Sequence, residues 1–497
     1  MNNTFTIYPG AITVSAVCEA VDSGAHIVIS PEATALVERA RKYLDDKVLS
    51  SPGPLYGINT GFGSLCNISI SHDELEQLQK NLVMSHACGM GATLEPVVVK
   101  TMLLLKVQSL CYGNSGVQLA TVERLVDFFN EDVIPVVYEQ GSLGASGDLA
   151  PLANMCLPLL GLGEVWYKDE RRAAAEVLRE KGWEPLALMS KEGLALLNGT
   201  QFMSAHAVRA VYEAKRLLDA ANHIGAMSLD AFDGRLEPFG ALVNEVRHHR
   251  GQIDVAADVR TILSGSQLAE RPKEHVQDPY SFRCIPQVHG AVLDVVRYVT
   301  EVINEEISSP TDNPTIFPEA DLIVSAGNFH GEPIAMPMDY LCLALTELSN
   351  ISERRIYKLI GGTRGLPSFL VAKPGINSGF MIAQYAAASI LNQSKSLCWP
   401  SSCDSIPSSQ GQEDHVSMGS NSATKLLRVV DNTRRILAIE LMTSAQALEF
   451  RRPLMSSPVV EALHSAFRAA VPFVDVDTVM YPLLQRSEDF LRRTTFC

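Results

Sequence analysis

The chain has 497 residues, 46% of them hydrophobic and 20% charged, the balance of a globular protein with material for a large core. Its 41 Lys and Arg against 56 Asp and Glu leave a formal charge of −15, which argues against nucleic acid or an anionic membrane as the main partner. The N-terminus shows no basic region followed by an apolar one, so no export signal is expected. The ten cysteines form no CxxC pair and read as reduced thiols of a cytoplasmic protein, with Cys88 and Cys111 expected to fill core space.

In chain order, the first feature is a short strand near residues 25–29. Ser30-Pro31 then marks a helix start, because proline at the first helical position surrenders no hydrogen bond. Ser71-His72-Asp73-Glu74 reads as a capping box, followed by Leu75, Leu78, Leu82 and His86 at helical spacing. Residues 97–107 and 150–162 are the most apolar stretches. Lys100 and Lys106 interrupt the first, Pro151 and Pro158 the second, and neither is expected to span a bilayer. A second short strand is expected near residues 164–167. Residues 338–360 and 420–452 contain neither glycine nor proline, and Leu427, Val430, Leu437, Leu441 and Leu448 form a one-sided stripe along the latter. Long helices of this kind bury their stripes against one another. The expected fold is therefore all-α, an elongated central helical bundle with a loop-rich N-terminal part and few short strands. Glycine-rich loops are expected at 55–65, 141–147, 279–290, 325–333 and 401–418. The one division expected is near residue 200, between a loop-rich part (1–200) and a long-helix part (201–497).

The loop Gly-Ser-Leu-Gly-Ala-Ser-Gly-Asp at 141–148 carries unusual chemistry. In Ala145-Ser146-Gly147 the Gly147 nitrogen is free to attack the Ala145 carbonyl carbon, since glycine has no Cβ and reaches backbone angles closed to other residues. Condensation releases one water and loss of the Ser146 hydroxyl a second, giving a 4-methylideneimidazol-5-one (MIO) ring, an electrophile that no ordinary side chain supplies. Other readings exist for the local sequence: a small-residue turn opening a helix with Asp148 as N-cap, a hydrolase nucleophile elbow, or a phosphate loop. The elbow needs glycine two residues after the serine, where Asp148 stands, and neither phosphate-loop spacing is present.

Further motifs decide between these readings. Tyr56-Gly57-Ile58-Asn59-Thr60-Gly61-Phe62-Gly63, Ser85-His86-Ala87-Cys88-Gly89, Asn198-Gly199-Thr200, Tyr280-Ser281-Phe282-Arg283, Asn328-Phe329-His330-Gly331 and Gln412-Glu413-Asp414-His415 follow in order. Together with Gly-Ala-Ser-Gly-Asp, this set resembles the MIO-dependent aromatic amino acid ammonia-lyases and aminomutases, from about Tyr56 to Met418. The resemblance implies Ala145, Ser146 and Gly147 as the source of the ring, with no external cofactor, and Asp148 as the residue that assists its formation. It implies Tyr56 as the base that takes the substrate β-proton, Arg283 as a two-pronged carboxylate holder, and Tyr280 as an orienting or proton-shuttling residue. Asn198 and Gln277 would hydrogen-bond around the amine and carboxylate, and Phe329 and Gln412 would line the pocket. It also implies a homotetramer with active sites shared between subunits. Cys88 and Gly411 stand where alanine and asparagine are common.

Substrate choice rests on His86 and Glu413. The Ser85-His86 pair resembles that of the histidine enzymes, though some tyrosine lyases and aminomutases carry it. Glu413 replaces the amide usual in the tyrosine and phenylalanine enzymes. A carboxylate complements an imidazole N–H, whereas unpaired against a phenyl ring its burial would cost about 3 kcal/mol. L-Histidine, converted to urocanate and ammonia, is the expected substrate, with a tyrosine lyase or aminomutase and an inactive helical scaffold as alternatives. Glu413-Asp414-His415 lacks metal-ligand spacing, and no metal is expected.

Overall fold

The computed structural model describes residues 3–50, 53–65, 67–68, 70–71 and 74–496. Its architecture is all-α, with short strands joining helices. Both strands expected from the sequence form. His26–Ile29 pairs in parallel with Thr4–Ile7, and Glu164–Tyr167 is the middle strand between Ile134–Pro135 and Glu170–Ala173. Ser30 and Pro31 start the helix Pro31–Ser50, the Ser30 hydroxyl accepting the Ala33 N–H at 3.2 Å. The helix Leu75–His86 also forms, but Glu74 precedes it without a side-chain cap, and the Ser71 hydroxyl donates instead to the Glu74 carboxylate at 2.6 Å. His72 and Asp73 of the expected capping box lie outside the described residues.

Two compact units emerge: Met1–Tyr212 with Thr300–Asp339 and Pro400–Lys425, and Glu213–Val299 with Tyr340–Trp399 and Leu426–Cys497. A single boundary near residue 200 does not describe this partition. Four divisions fall inside the long helices Gln201–Ala231, Ile285–Ile307, Glu332–Leu359 and Gly419–Glu449, so segments distant in sequence return to the first unit.

Within the first unit the helix Pro96–Leu110 is buried almost throughout, Lys106 included. The second unit is helical, and the loop expected at 279–290 is largely helix: Tyr280–Arg283, then the first turns of Ile285–Ile307. The stripe at Val430, Leu437, Leu441 and Leu448 is buried, yet it is not one-sided. Ile436, Ile439, Met442 and the polar Glu440, Thr443 and Gln446 are buried too, because the helix is surrounded by neighbours. Its Glu440 accepts the Ser228 hydroxyl at 2.7 Å and an Arg355 N–H at 2.9 Å, which makes burial of the charge tolerable. Among the described residues no helix is long and apolar enough to cross a membrane, and no group of His, Cys, Asp and Glu could hold a metal ion.

Candidate active site

The strand Tyr138–Gln140, paired with Met90–Thr93, delivers the chain to the loop at 141–148, and the helix Leu149–Cys156 carries it away. Between them the backbone turns through left-handed conformations at Gly144 (φ +85°), Ser146 (φ +55°) and Gly147 (φ +79°). For serine that conformation costs about 1–2 kcal/mol, so the surroundings must impose it. They do so from both sides. The Gly147 N–H reaches back to the Gly144 carbonyl at 3.4 Å, and the Leu143 carbonyl accepts the Met418 N–H at 3.1 Å. On the far side Asp148 N–H donates to the Gly199 carbonyl at 2.8 Å. A Cβ on Gly147 would run into that same carbonyl oxygen, so only glycine fits.

Asp148 occupies the N-cap position of Leu149–Cys156, but its side chain caps nothing there. One carboxylate oxygen accepts the Met203 N–H at 2.9 Å, the other the Ser420 hydroxyl at 2.8 Å. The turn does open a helix with Asp148 at its N-cap position, but the side chain is spent elsewhere. Burial pushes its pKa up to about 7, against the opposing pull of those hydrogen bonds and of the nearby Lys106 ammonium.

Ser146 faces two adjoining cavities of the first unit, both also lined by Tyr56, Gly63 and Glu413. The first, about 330 Å³, is walled by Leu78, Leu82, Leu194 and Leu197 and carries His86 and Asn198. The second, about 480 Å³, carries Asn313, Phe329 and Gln412. Glu413 bridges them: one oxygen accepts the Ser146 hydroxyl at 3.2 Å, the other the Ser408 hydroxyl at 2.9 Å. The Tyr56 hydroxyl accepts the Gly63 N–H at 3.4 Å. His86 Nδ1 lies 2.8 Å from the Leu82 carbonyl, an acceptor, which assigns the proton to Nδ1 and leaves Nε2 as a hydrogen-bond acceptor. Burial holds the His86 pKa below its ordinary value, the Leu82 carbonyl and Glu413 only partly offsetting it. Asn198 is 2% exposed, and its Nδ2 has no hydrogen-bond partner within the protein.

Ala145 and Gly147 line a third cavity of about 290 Å³ together with Cys88, His86 and Glu413. Cys88 is thus exposed rather than core filler, because the chain leaves the helix at His86 and carries it outward, whereas Cys111 is fully buried. Gln277, Tyr280 and Arg283 belong to the second unit. They meet one another: Arg283 donates to the Gln277 side-chain amide oxygen Oε1 at 2.7 Å and lies 4.6 Å from the centre of the Tyr280 ring, which is 71% exposed. Sequence reasoning missed Ser408, for which the chain carries no local signal. It also passed over Lys106, although a lysine directly after the apolar run Met102–Leu105 and before Val107 is such a signal.

The chain matches the model of the family described as aromatic amino acid lyase over residues 12–469. It is 46% identical to a histidine ammonia-lyase of Symbiobacterium thermophilum over 473 residues, 95% of this chain and 93% of that protein. Among solved structures it is similar to histidine ammonia-lyase from Trypanosoma cruzi, with a TM-score of 0.92 at 40% identity over 98% of this chain and 93% of the other. It is also similar to tyrosine aminomutase from Streptomyces globisporus, with a TM-score of 0.94 at 34% identity over 99% and 97% of the two chains.

Proposed function

The chain belongs to the aromatic amino acid lyase family, a carbon–nitrogen lyase family that is in general MIO-dependent, and we propose that it converts L-histidine to urocanate and ammonia. The observation that carries the substrate is the pairing of Glu413 with a neutral His86 on one small cavity. Of the two hydrogen-bond acceptors there, one suits the single N–H of a neutral imidazole and both suit the two of its protonated form, while Leu78, Leu82, Leu194 and Leu197 suit its ring edges. A benzyl side chain would leave Glu413 without a partner from the substrate.

The electrophile is assigned to Ala145-Ser146-Gly147. The residues present fit such a ring: a turn already closed on itself, a glycine with no room for a Cβ, and a buried, unpartnered Asn198 amide on the same cavity. What the ring supplies is a covalent attachment point that makes the substrate nitrogen a better leaving group. Asn198 offers its N–H groups to charge developing nearby, Tyr56 takes the β-proton, and Asp148 assists ring formation. Phe329 and Gln412 close the second cavity.

Arg283 holds the substrate carboxylate, Gln277 hydrogen-bonds around the amine and carboxylate, and Tyr280 orients the substrate or shuttles a proton. Gln277 and Tyr280 are exposed, and we assign the cluster to an active site shared between copies in a homotetramer. A cytoplasmic location accords with the free thiols of the eight described cysteines.

The test is a parallel assay with histidine and tyrosine. Urocanate from histidine is expected to form faster, followed by its ultraviolet absorbance. Faster coumarate or β-tyrosine formation from tyrosine would overturn the substrate assignment. Turnover of neither, together with an intact mass showing no loss of two waters, would leave a helical scaffold.

A further inference from the structure

Lys106 is 1% exposed in a helix whose other buried positions are Val, Leu and Met and the uncharged Thr101, Gln108 and Ser109, so it is the one buried charge of that helix. A methionine there would bury as much apolar surface without desolvating a charge, so packing alone does not account for an ammonium. Its partners are the carbonyls of Ala195 at 2.9 Å and Asn198 at 2.8 Å. These belong to the last turn and C-cap of the helix Glu192–Leu197, where carbonyls lack intrahelical donors and the helix dipole favours a cation. The chain continues directly into the site: Asn198 lines the first cavity, and the Gly199 carbonyl receives the Asp148 N–H against which Gly147 is packed.

We propose that Lys106 is the positioning residue for ring formation: by clamping the Ala195 and Asn198 carbonyls it holds the Asn198–Gly199 segment against the Ala145–Asp148 turn. The inference rests on the reading that Ala145-Ser146-Gly147 cyclises, and extends it to a residue outside the cavities. Burial lowers the ammonium pKa to about 8, with Cys156, Asp312 and Asp148 pulling the other way. At neutral pH the clamp is therefore mainly charged.

The experiment compares intact masses of purified, folded wild-type protein and the variants Lys106→Met, Lys106→Gln, Lys106→Arg and Leu104→Ala, with helical circular dichroism and thermal unfolding recorded for each. Wild type is expected to carry the two-water deficit in nearly every chain. Lys106→Met is expected to show at least about half of its chains at the unmodified mass. Lys106→Gln should fall between the two, and Lys106→Arg should recover most of the deficit by restoring donors and charge. Leu104→Ala, which removes buried surface from the same helix, is expected to lose stability and keep the deficit. If Lys106→Met is not recovered folded, Lys106→Gln decides. A folded Met or Gln variant with the complete deficit would overturn the proposal, and so would an equal loss in Leu104→Ala, which would make the effect one of general destabilisation. A wild-type protein without the deficit would instead refute the ring itself, an outcome read separately from the variants.

Discussion

Replacing Asp148 by Asn tests whether the carboxyl beneath the Ser146 turn is kept protonated by its burial. The amide keeps the geometry, its oxygen accepting the Met203 N–H and its nitrogen donating to the Ser420 hydroxyl, but it cannot titrate. In the folded protein the Asp148 pKa is about 7, against an ordinary 3.8. A folded-state pKa raised in this way contributes stability that is fully present below the unfolded value and is lost as pH rises through the folded one. The three-unit gap corresponds to about 4 kcal/mol in all, of which about 3 kcal/mol is lost between pH 5 and pH 8. Wild type should therefore lose about that much relative to Asp148→Asn over this range, flattening above pH 7. Urea unfolding of both proteins at equal concentration and at steps of one pH unit measures it, since groups common to both largely cancel in the difference. Parallel stability profiles from pH 5 to pH 8 would refute the reasoning, because they would mean Asp148 is ionised in the fold throughout.

Gly147→Ala forces a Cβ into the Gly199 carbonyl at a positive φ, so the turn must open; intact mass should show the two-water deficit lost while helical circular dichroism is retained. Glu413→Gln keeps one acceptor oxygen, with its NH2 donating to a hydroxyl such as that of Ser408 in place of the second, but removes the carboxylate facing an imidazole N–H. Its kcat/KM for histidine should fall about 100-fold, equivalent to about 2.7 kcal/mol, with little change in unfolding midpoint; unchanged histidine turnover would dissociate Glu413 from substrate choice. Arg355→Met leaves Glu440 buried without its cation and should cost about 3–5 kcal/mol in urea unfolding, part of it recovered in the double variant with Glu440→Gln.

Local sequence was sufficient wherever the energy is local. Ser30-Pro31 starts a helix because a hydroxyl and a missing N–H act within one turn, and the stretch from 420 is helical to Glu449 because no glycine or proline within it breaks the backbone ladder. Gly144 and Gly147 likewise declared a turn that only glycine tolerates, and the order of the loop motifs already carried the resemblance to the lyase family. Asp148 shows where such reasoning stops. Its position before a helix reads as a cap, but the side chain bonds Met203 and Ser420, partners 55 and 272 residues away that no local rule can supply. Ser146 meets Glu413 across 267 residues. The charge on Lys106 was visible, but its burial and its two carbonyls were not. The sequence by itself determined the helices, the turn and the kinds of group available for chemistry, since these follow from backbone propensity and side-chain type. Only the tertiary structure decided which of those groups share a cavity, which carboxyl loses its water and so its usual pKa, and which lysine is taken out of solvent, because desolvation and convergence belong to packing between segments far apart in the chain.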